Sequence, residues 1–430
     1  MTVERHGRRK TTAVPLIQQS PWSKPQMNFE PARILSDDHV ETIHLKSMQV
    51  LQEIGMDVLN PEARDILQRA GASVSGDRVR IGRDIIEQAM QTPPREFTLH
   101  ARNPARNVQM GGKWITFGPV GGPPNCSDLD RGKRIGNFAD NANFLRLSQF
   151  FNCIHISGDG CVDATDLHVS VRQLHVMHNK LRLSDKFPFV YSTTRPVLMD
   201  SLGMVRLSRG ISHEQMLREP SAYTIINTNS PLKLDLPMAM GIIEMARMNQ
   251  VCVATPFTLA GAMAPITLAG ALVQQNAEVL ACLSLSQLTR PGAPFVYGSF
   301  TSNVDMKSGA PAFGTPEYMK ATIAGGQLAR RYGLPYRTSS ANAANALDAQ
   351  AAYETVFSLW AAIMGGGWSR PMKSSRWMSS CCRWSNSFCS RLSWMMTRWA
   401  WMRCWRWGRA ATSLVPHIPC RAIRPRFTSR

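Results

Sequence analysis

The sequence predicts an α/β fold of the (β/α)8 barrel type with a small N-terminal α+β segment. Three observations predict it. Short β-rich runs recur at a spacing of roughly 30–40 residues from residue 114 onward. Each run ends in a polar or Gly-rich turn and leads into a helical pattern. Strands alternating with helices imply parallel pairing through right-handed crossovers. Seven such units are one short of a closed barrel, and an open doubly wound sheet is the second reading.

The elements follow in order. Residues 1–35 are polar with scattered Pro and read as a loose arm. Residues 36–55 read as a helix, with Ile43, Met48, Val50, Leu51 and Ile54 at helical spacing and Ser36 as its cap. Shorter helices are expected over 61–70 and 83–90, and strands over 96–100 and 107–115, turned at Asn103-Pro104 and Gly111-Gly112. The unit 36–113 is therefore α+β. The barrel spans 114–365, with strands expected at 114–117, 153–157, 187–192, 223–227, 251–255, 294–297 and 335–338. Its clearest helices are 164–180, 234–248, 267–288, 316–332 and 348–364. Thr315-Pro316-Glu317 is a strong helix start: a Thr cap, Pro at the first position, and an acid on the positive end of the dipole.

The chain of 430 residues carries a formal charge of +19 and 18% charged residues. That charge would suggest nucleic acid or an anionic membrane if it were spread over the folded part. It is not. Residues 366–430 hold 12 Arg and 1 Lys, no acid follows Glu354, and the other 365 residues carry only +6. The same tail has 8 of the 11 Trp and 5 of the 10 Cys. No apolar run reaches the roughly 18 residues of a membrane span, and no secretory signal follows the basic N-terminus. Cys126, Cys153, Cys161, Cys252 and Cys282 form no C-x-x-C pair and read as reduced core thiols of a cytoplasmic protein.

Mechanistic motifs are mostly missing. There is no phosphate loop, no nucleophile elbow, no H-E-x-x-H and no Cys/His set with zinc spacing. His168, His175 and His178 share a predicted helix, where capping or solvation outweighs metal binding. What remains is a set of aromatic and polar residues at predicted strand ends, where barrel enzymes hold their chemistry.

Several strings resemble one family. They are Phe257-Thr-Leu-Ala-Gly-Ala262, the run from Ala264 to Glu278, Pro291-Gly-Ala-Pro-Phe-Val-Tyr-Gly298, Ala312-Phe-Gly-Thr-Pro-Glu317, Gln327-Leu-Ala-Arg-Arg-Tyr-Gly-Leu-Pro335 and Asp348-Ala-Gln-Ala-Ala-Tyr-Glu354. Upstream, Pro94-Arg-Glu-Phe-Thr-Leu-His-Ala-Arg102 and Phe117-Gly-Pro-Val-Gly-Gly122 also fit. Over about residues 36–365 the chain resembles the trimethylamine:corrinoid methyltransferase family.

The resemblance implies a barrel enzyme that moves a methyl group from a tertiary or quaternary methylamine to Co(I) of a corrinoid on a separate protein. It implies no zinc. Founding members carry pyrrolysine; this chain has standard residues throughout 338–348, so a betaine-like quaternary amine is expected over trimethylamine. Reduced cobalt is itself the nucleophile and the amine leaves neutral, so the missing acid, base and metal motifs agree with this chemistry. The site should hold aromatic faces, worth roughly 0.5–2 kcal/mol each against a cation. Phe117, Tyr191, Tyr297, Phe300, Phe313 and Tyr336 are the candidates for that cage, with Tyr297 and Tyr336 foremost. Asn227 and Asn229 could bind the substrate's polar end or close a turn. Gly118, Gly121 and Gly122 would allow a tight turn or close corrinoid approach. Asp305 reads as a solvated turn residue and Glu278 as structural. A homo-oligomer is left open.

The tail reads as a frameshift. Trp is always TGG, so stepping back one nucleotide turns it into Leu, Val or Met followed by a codon starting with G, the class that contains every Asp and Glu codon. Thr412-Ser-Leu-Val-Pro-His-Ile-Pro419 then permits His-Phe-Phe-Gly-Thr-Pro-His-Thr, which resembles the family's C-terminal end. The shift begins near Gly366, with the eighth strand expected to be lost. Such a barrel would keep two unpaired edges, so the chain as written is expected to be unstable and inactive. Two other classes stand beside this reading. A barrel lyase or aldolase would need a Schiff-base Lys at a strand end, where Lys186 and Lys233 only flank strands. A basic-tail binder of nucleic acid or membrane would lose its affinity steeply with salt and on truncation at Gly366.

Overall fold

The computed structural model describes residues 19–119, 121–128, 131–158, 161–344, 348–366 and 368–371. The central sheet is parallel and wound in one direction. Tyr223–Ile226 pairs with Val251–Ala254, that strand with Phe295–Gly298, and that with Tyr336–Ser340. Upstream, Ile156–Ser157 pairs with Phe187–Pro188, and Phe189 bridges to Tyr223. Segment 115–117 lies beside them through the His155 N–H, which donates to Phe117 O at 2.8 Å. Neighbours in space are thus neighbours in sequence without reversal. That is barrel winding and not the switch-point order of a doubly wound sheet.

An eighth strand is present. Trp368–Pro371 is a strand, paired in parallel with Tyr336–Ser340 from Arg337↔Trp368 to Ser340↔Pro371. The expected loss of that strand, the ground for expecting two unpaired edges, does not hold. A ladder is made by backbone N–H and C=O groups, so an altered side-chain string does not by itself forbid it. Residues 372–430, and with them the remainder of the proposed out-of-frame tail, lie outside the described residues.

Both faces of the sheet are buried. Ile156, Phe187, Phe189, Tyr223, Val251, Val253 and Val296 form one cluster, into which Leu99, Val108 and Met110 pack. Those last three come from the antiparallel hairpin Phe97–Leu99 and Val108–Met110. His100 N donates to Pro220 O and Asn103 N to Asp185 O, so the hairpin floors the barrel where its strands begin. The opposite faces, with Ile226, Cys252, Ala254, Phe295, Tyr297 and Tyr336, pack against the helices.

Those helices start as their sequences require. Thr315 accepts from Tyr318 N at 3.3 Å, with Pro316 in the first turn of Pro316–Arg331. Ser36, Thr267 and Asp348 cap Asp37–Gln49, Leu268–Thr289 and Ala349–Met364 in the same way. Contrary to the expectation that no apolar run is long enough to span a membrane, Leu268–Thr289 is so by length and composition, but most of it is buried within the fold. It forms the spine between barrel and N-terminal segment, and Ser47 Oγ on Asp37–Gln49 donates to Val273 O at 2.9 Å. The N-terminal sheet (Met56–Val58, Ser73–Ser75, Arg78–Arg80) takes its fourth strand, Lys233–Leu234, from the barrel.

Within the expected loose arm, residues 19–35 form a packed strap. Gln19 donates to Phe150 O, Pro25 O accepts from Ile115 N, and Ile34 and Leu35 N–H groups donate to Gln327 Oε1. Met27 is buried with Ile115, Phe117, Leu359 and Ile363. Few apolar residues were needed, because backbone groups supply most of the contacts. Residues 1–18 lie outside the described residues.

Candidate functional site

The ends of the fifth and sixth strands bring three phenylalanines together. Phe257 and Phe300 have ring centroids 4.8 Å apart and tilted by 35°, and Phe300 and Phe313 stack at 5.2 Å and 3°. Phe257 to Phe313 is 6.3 Å. Each ring is only partly buried. Their planes lie within 37° of one another, so they make a wall and not a closed box. Tyr318 packs edge-on behind Phe313 at 5.5 Å, with its hydroxyl donating to Ser339 O. Strand crowding fixes the wall's footing: a Cβ on Gly298 would stand 2.0 Å from Thr255 Oγ1 and 2.3 Å from Ala254 O.

Of the six aromatics expected at a cage, the structure brings Phe300 and Phe313 together, and Phe257 joins them. Four others are elsewhere. Tyr297 is fully buried and points into the helix layer, donating to Asn276 Oδ1 at 3.0 Å and accepting from Gln275 Nε2 at 3.3 Å. Burial holds its hydroxyl pKa well above the ordinary value. Tyr336 donates to Thr322 O at 2.6 Å, with its pKa pushed up to about 12 by burial. Both expectations are corrected: these rings sit on the helix-facing side of their strands. Phe117 is buried against Met27 and Leu359 and stacks on His155 at 5.8 Å. The face of Tyr191 is met by Lys180 Nζ, 5.3 Å from the ring centroid, so its cation is intramolecular.

The polar candidates separate as well. Asn227 is exposed just past Tyr223–Ile226, whose last carbonyl accepts from Thr255 N at 2.7 Å; the two βα loops therefore run side by side. Asn229 closes a turn: its N–H donates to Lys233 O and its Oδ1 accepts from Asp235 N. Gly118 is buried, Gly121 half-buried, and Gly122 exposed at φ 70°, a left-handed turn position. Asp305 is a turn residue that accepts from Lys307 N and the Ser308 hydroxyl.

Three side chains that could act as bases or nucleophiles are put to structural use. His155 is pinned between Phe117 N, which donates to its Nδ1, and Ser23 O, and burial holds its pKa down at about 3. His168 caps Val169–Leu183. Lys186 is buried against the Ser148 and Phe151 carbonyls, away from any Schiff-base position. Among the described residues no three His, Cys, Asp or Glu side chains gather as a metal site. A groove of about 310 Å³ lies at the other end of the barrel, lined by Arg95, Lys113, Trp114 and Pro335 among others. Its Arg330 is tied to Gly365 O and Ala32 O.

Sequence reasoning missed Phe257 as a wall residue, although the residue lies in a string that carried the family resemblance. It also missed Gln274 and Gln275 behind the wall, beside Glu278, which it reads as structural. Their signal was present: a Gln-Gln-Asn run and a Glu inside an otherwise apolar helix.

The parallel barrel carries an aromatic wall at the ends of its fifth and sixth strands, the end at which barrel enzymes hold their chemistry. The chain belongs to the trimethylamine methyltransferase (MTTB) family, whose model matches residues 2–385; it is a methyltransferase. It is 36% identical over 334 residues to a glycine betaine methyltransferase of Desulfitobacterium hafniense, covering 77% of this chain and 70% of that one. It is 30% identical over 362 residues to the trimethylamine methyltransferase MttB of Methanosarcina barkeri, covering 79% and 70%. The crystal structure of the Methanosarcina barkeri monomethylamine methyltransferase MtmB superposes with a TM-score of 0.45 at 11% identity, over 81% of this chain and 80% of that one.

Proposed function

We propose that the body of this chain binds a betaine-like quaternary methylamine and presents one methyl group to Co(I) of a corrinoid carried on a separate protein. The observation that carries the reading is the partly exposed Phe257–Phe300–Phe313 wall at the strand ends. Ring faces attract a methylated ammonium, and each is worth roughly 0.5–2 kcal/mol. The glycine betaine methyltransferase among the relatives supports a betaine-like donor.

The reduced corrinoid, when bound, supplies the nucleophile. The chain's residues orient the donor. The wall holds the ammonium so that one N–CH3 bond points out of the mouth, and Asn227 faces the donor's polar end. The C–N pair stays on the amine, which leaves neutral, so no side chain has to deliver a proton. Of the three glycines, half-buried Gly121 and exposed Gly122 would leave backbone accessible to a corrinoid, whereas Gly118 is buried.

The test is calorimetric titration of the full chain with tetramethylammonium and glycine betaine. Phe300→Ala and Phe257→Ala should each weaken both ligands by roughly 2- to 30-fold. Unchanged affinity in both variants overturns the reading. Loss of the Co(I) absorption on mixing with betaine and a corrinoid protein tests the transfer itself. We further propose that the sequence beyond Gly366 is read out of frame, on the grounds of its 13 cations, 8 Trp and lack of any acid.

A further inference from the structure

Leu268–Thr289 buries Gln275 and Glu278 completely and Gln274 almost so. A buried amide or carboxylate is costly without partners. Here the partners come from three successive βα loops. Glu278 accepts from Thr228 Oγ1, from Ser230 Oγ at 2.7 Å and from Leu232 N at 2.9 Å, all in the loop after Tyr223–Ile226. Gln274 Nε2 lies 3.0 Å from both Glu278 Oε1 and Met263 O, the latter in the loop after Val251–Ala254. Gln275 Oε1 accepts from Ser299 Oγ at 2.9 Å and from Thr301 Oγ1 at 2.6 Å, on either side of Phe300. Thr301 in turn meets Thr258, the residue after Phe257.

One rigid helix therefore grips the loops that carry Asn227, Phe257 and Phe300. Apolar packing could have filled this volume without directional bonds, but it would not have fixed loop against loop. We propose that Gln275 and Glu278, bridged by Gln274, are positioning residues for the methyl donor. Gln275 sets the aromatic wall, and Glu278 sets the Asn227 edge relative to it. This rests on the reading that the wall binds the ammonium group.

The two roles separate by ligand. Tetramethylammonium has only the cation, whereas glycine betaine adds a polar end. Titration of the full chain should show Gln275→Ala weakening both ligands by the same factor, about fivefold or more. Gln275→Glu, which keeps the acceptor for Ser299 and Thr301, should stay within about twofold of wild type. Glu278→Ala should weaken glycine betaine about fivefold or more but leave tetramethylammonium within about twofold, and Glu278→Gln should recover most of the loss. Should Glu278→Ala not fold, Thr228→Val with Ser230→Ala removes the same contacts from the loop side and should reproduce the ligand split. Folded variants with wild-type affinities, or a fall common to both ligands in the Glu278 variants, overturn the assignment. Unchanged tetramethylammonium binding in Phe300→Ala and Phe257→Ala overturns the wall reading and this one with it. Weakened binding there but not in Gln275→Ala or Glu278→Ala overturns the positioning role alone.

Discussion

Tyr297→Phe separates a cage tyrosine from a structural one. The hydroxyl is the centre of a buried relay. It accepts from Gln275 Nε2 at 3.3 Å and donates to Asn276 Oδ1 at 3.0 Å; Asn276 Nδ2 donates to Tyr332 Oη at 2.8 Å, and that hydroxyl lies 3.0 Å from His44 Nδ1. Removing the oxygen keeps the ring and its 6.0 Å stacking on Tyr332. It strips the fully buried Asn276 Oδ1 of this donor and the Gln275 amide of this acceptor. Leaving buried groups unmatched costs about 1–3 kcal/mol. The variant should therefore unfold at lower urea with an unchanged m-value, and its melting point should drop by a few degrees. Its tetramethylammonium affinity, titrated on the same sample, should stay within about twofold of wild type. An affinity loss beyond about fivefold without any stability loss would refute the reasoning, since only a ring facing the ligand behaves so.

Other consequences follow. Burial pushes the pKa of His44 down to about 4, so between its unfolded value of about 6.5 and 4 the unfolded chain binds a proton that the folded chain refuses. This contribution is complete above pH about 6.5 and lost as pH falls toward 4; the urea midpoint of wild type should fall more steeply there than that of His44→Gln, and parallel curves would contradict it. Gly298→Ala forces a methyl against Thr255 and Ala254 O and should cost about 1–3 kcal/mol by denaturant titration while loosening the wall. Resequencing the DNA across codons 360–375 should reveal a broken reading frame; an intact one means that the Trp-rich tail is genuine.

Much of the fold was legible. Helix starts such as Thr315-Pro316-Glu317 depend on bonding within one turn, and they appear where the sequence puts them. The β/α beat is likewise local, each run setting its own element. The strap at 19–35 was not legible, since its contacts are backbone groups meeting distant partners such as Gln327. The same holds for the Lys233–Leu234 strand, which pairs with Met56–Val58 across a long stretch of chain.

By itself, the sequence determined the barrel class, the family, the helix caps and the concentration of aromatics near strand ends. Tertiary structure alone decided which aromatics meet. Val251–Ala254, Phe295–Gly298 and Tyr336–Ser340 are buried along their whole length. A strand covered on both faces shows no alternation of apolar and polar residues, so nothing in its composition tells inside from outside. A shift of one residue turns a side chain to the opposite face. That parity sends Tyr297 and Tyr336 to the helices. Phe257 and Phe300, beyond the strand ends, lie in loops tied to helix Leu268–Thr289 through Gln275, Thr301 and Thr258, and Phe313 joins them through the bonds of Ala312 to Ser302 and Asn303; these contacts link residues far apart in the chain and exist only in the folded structure.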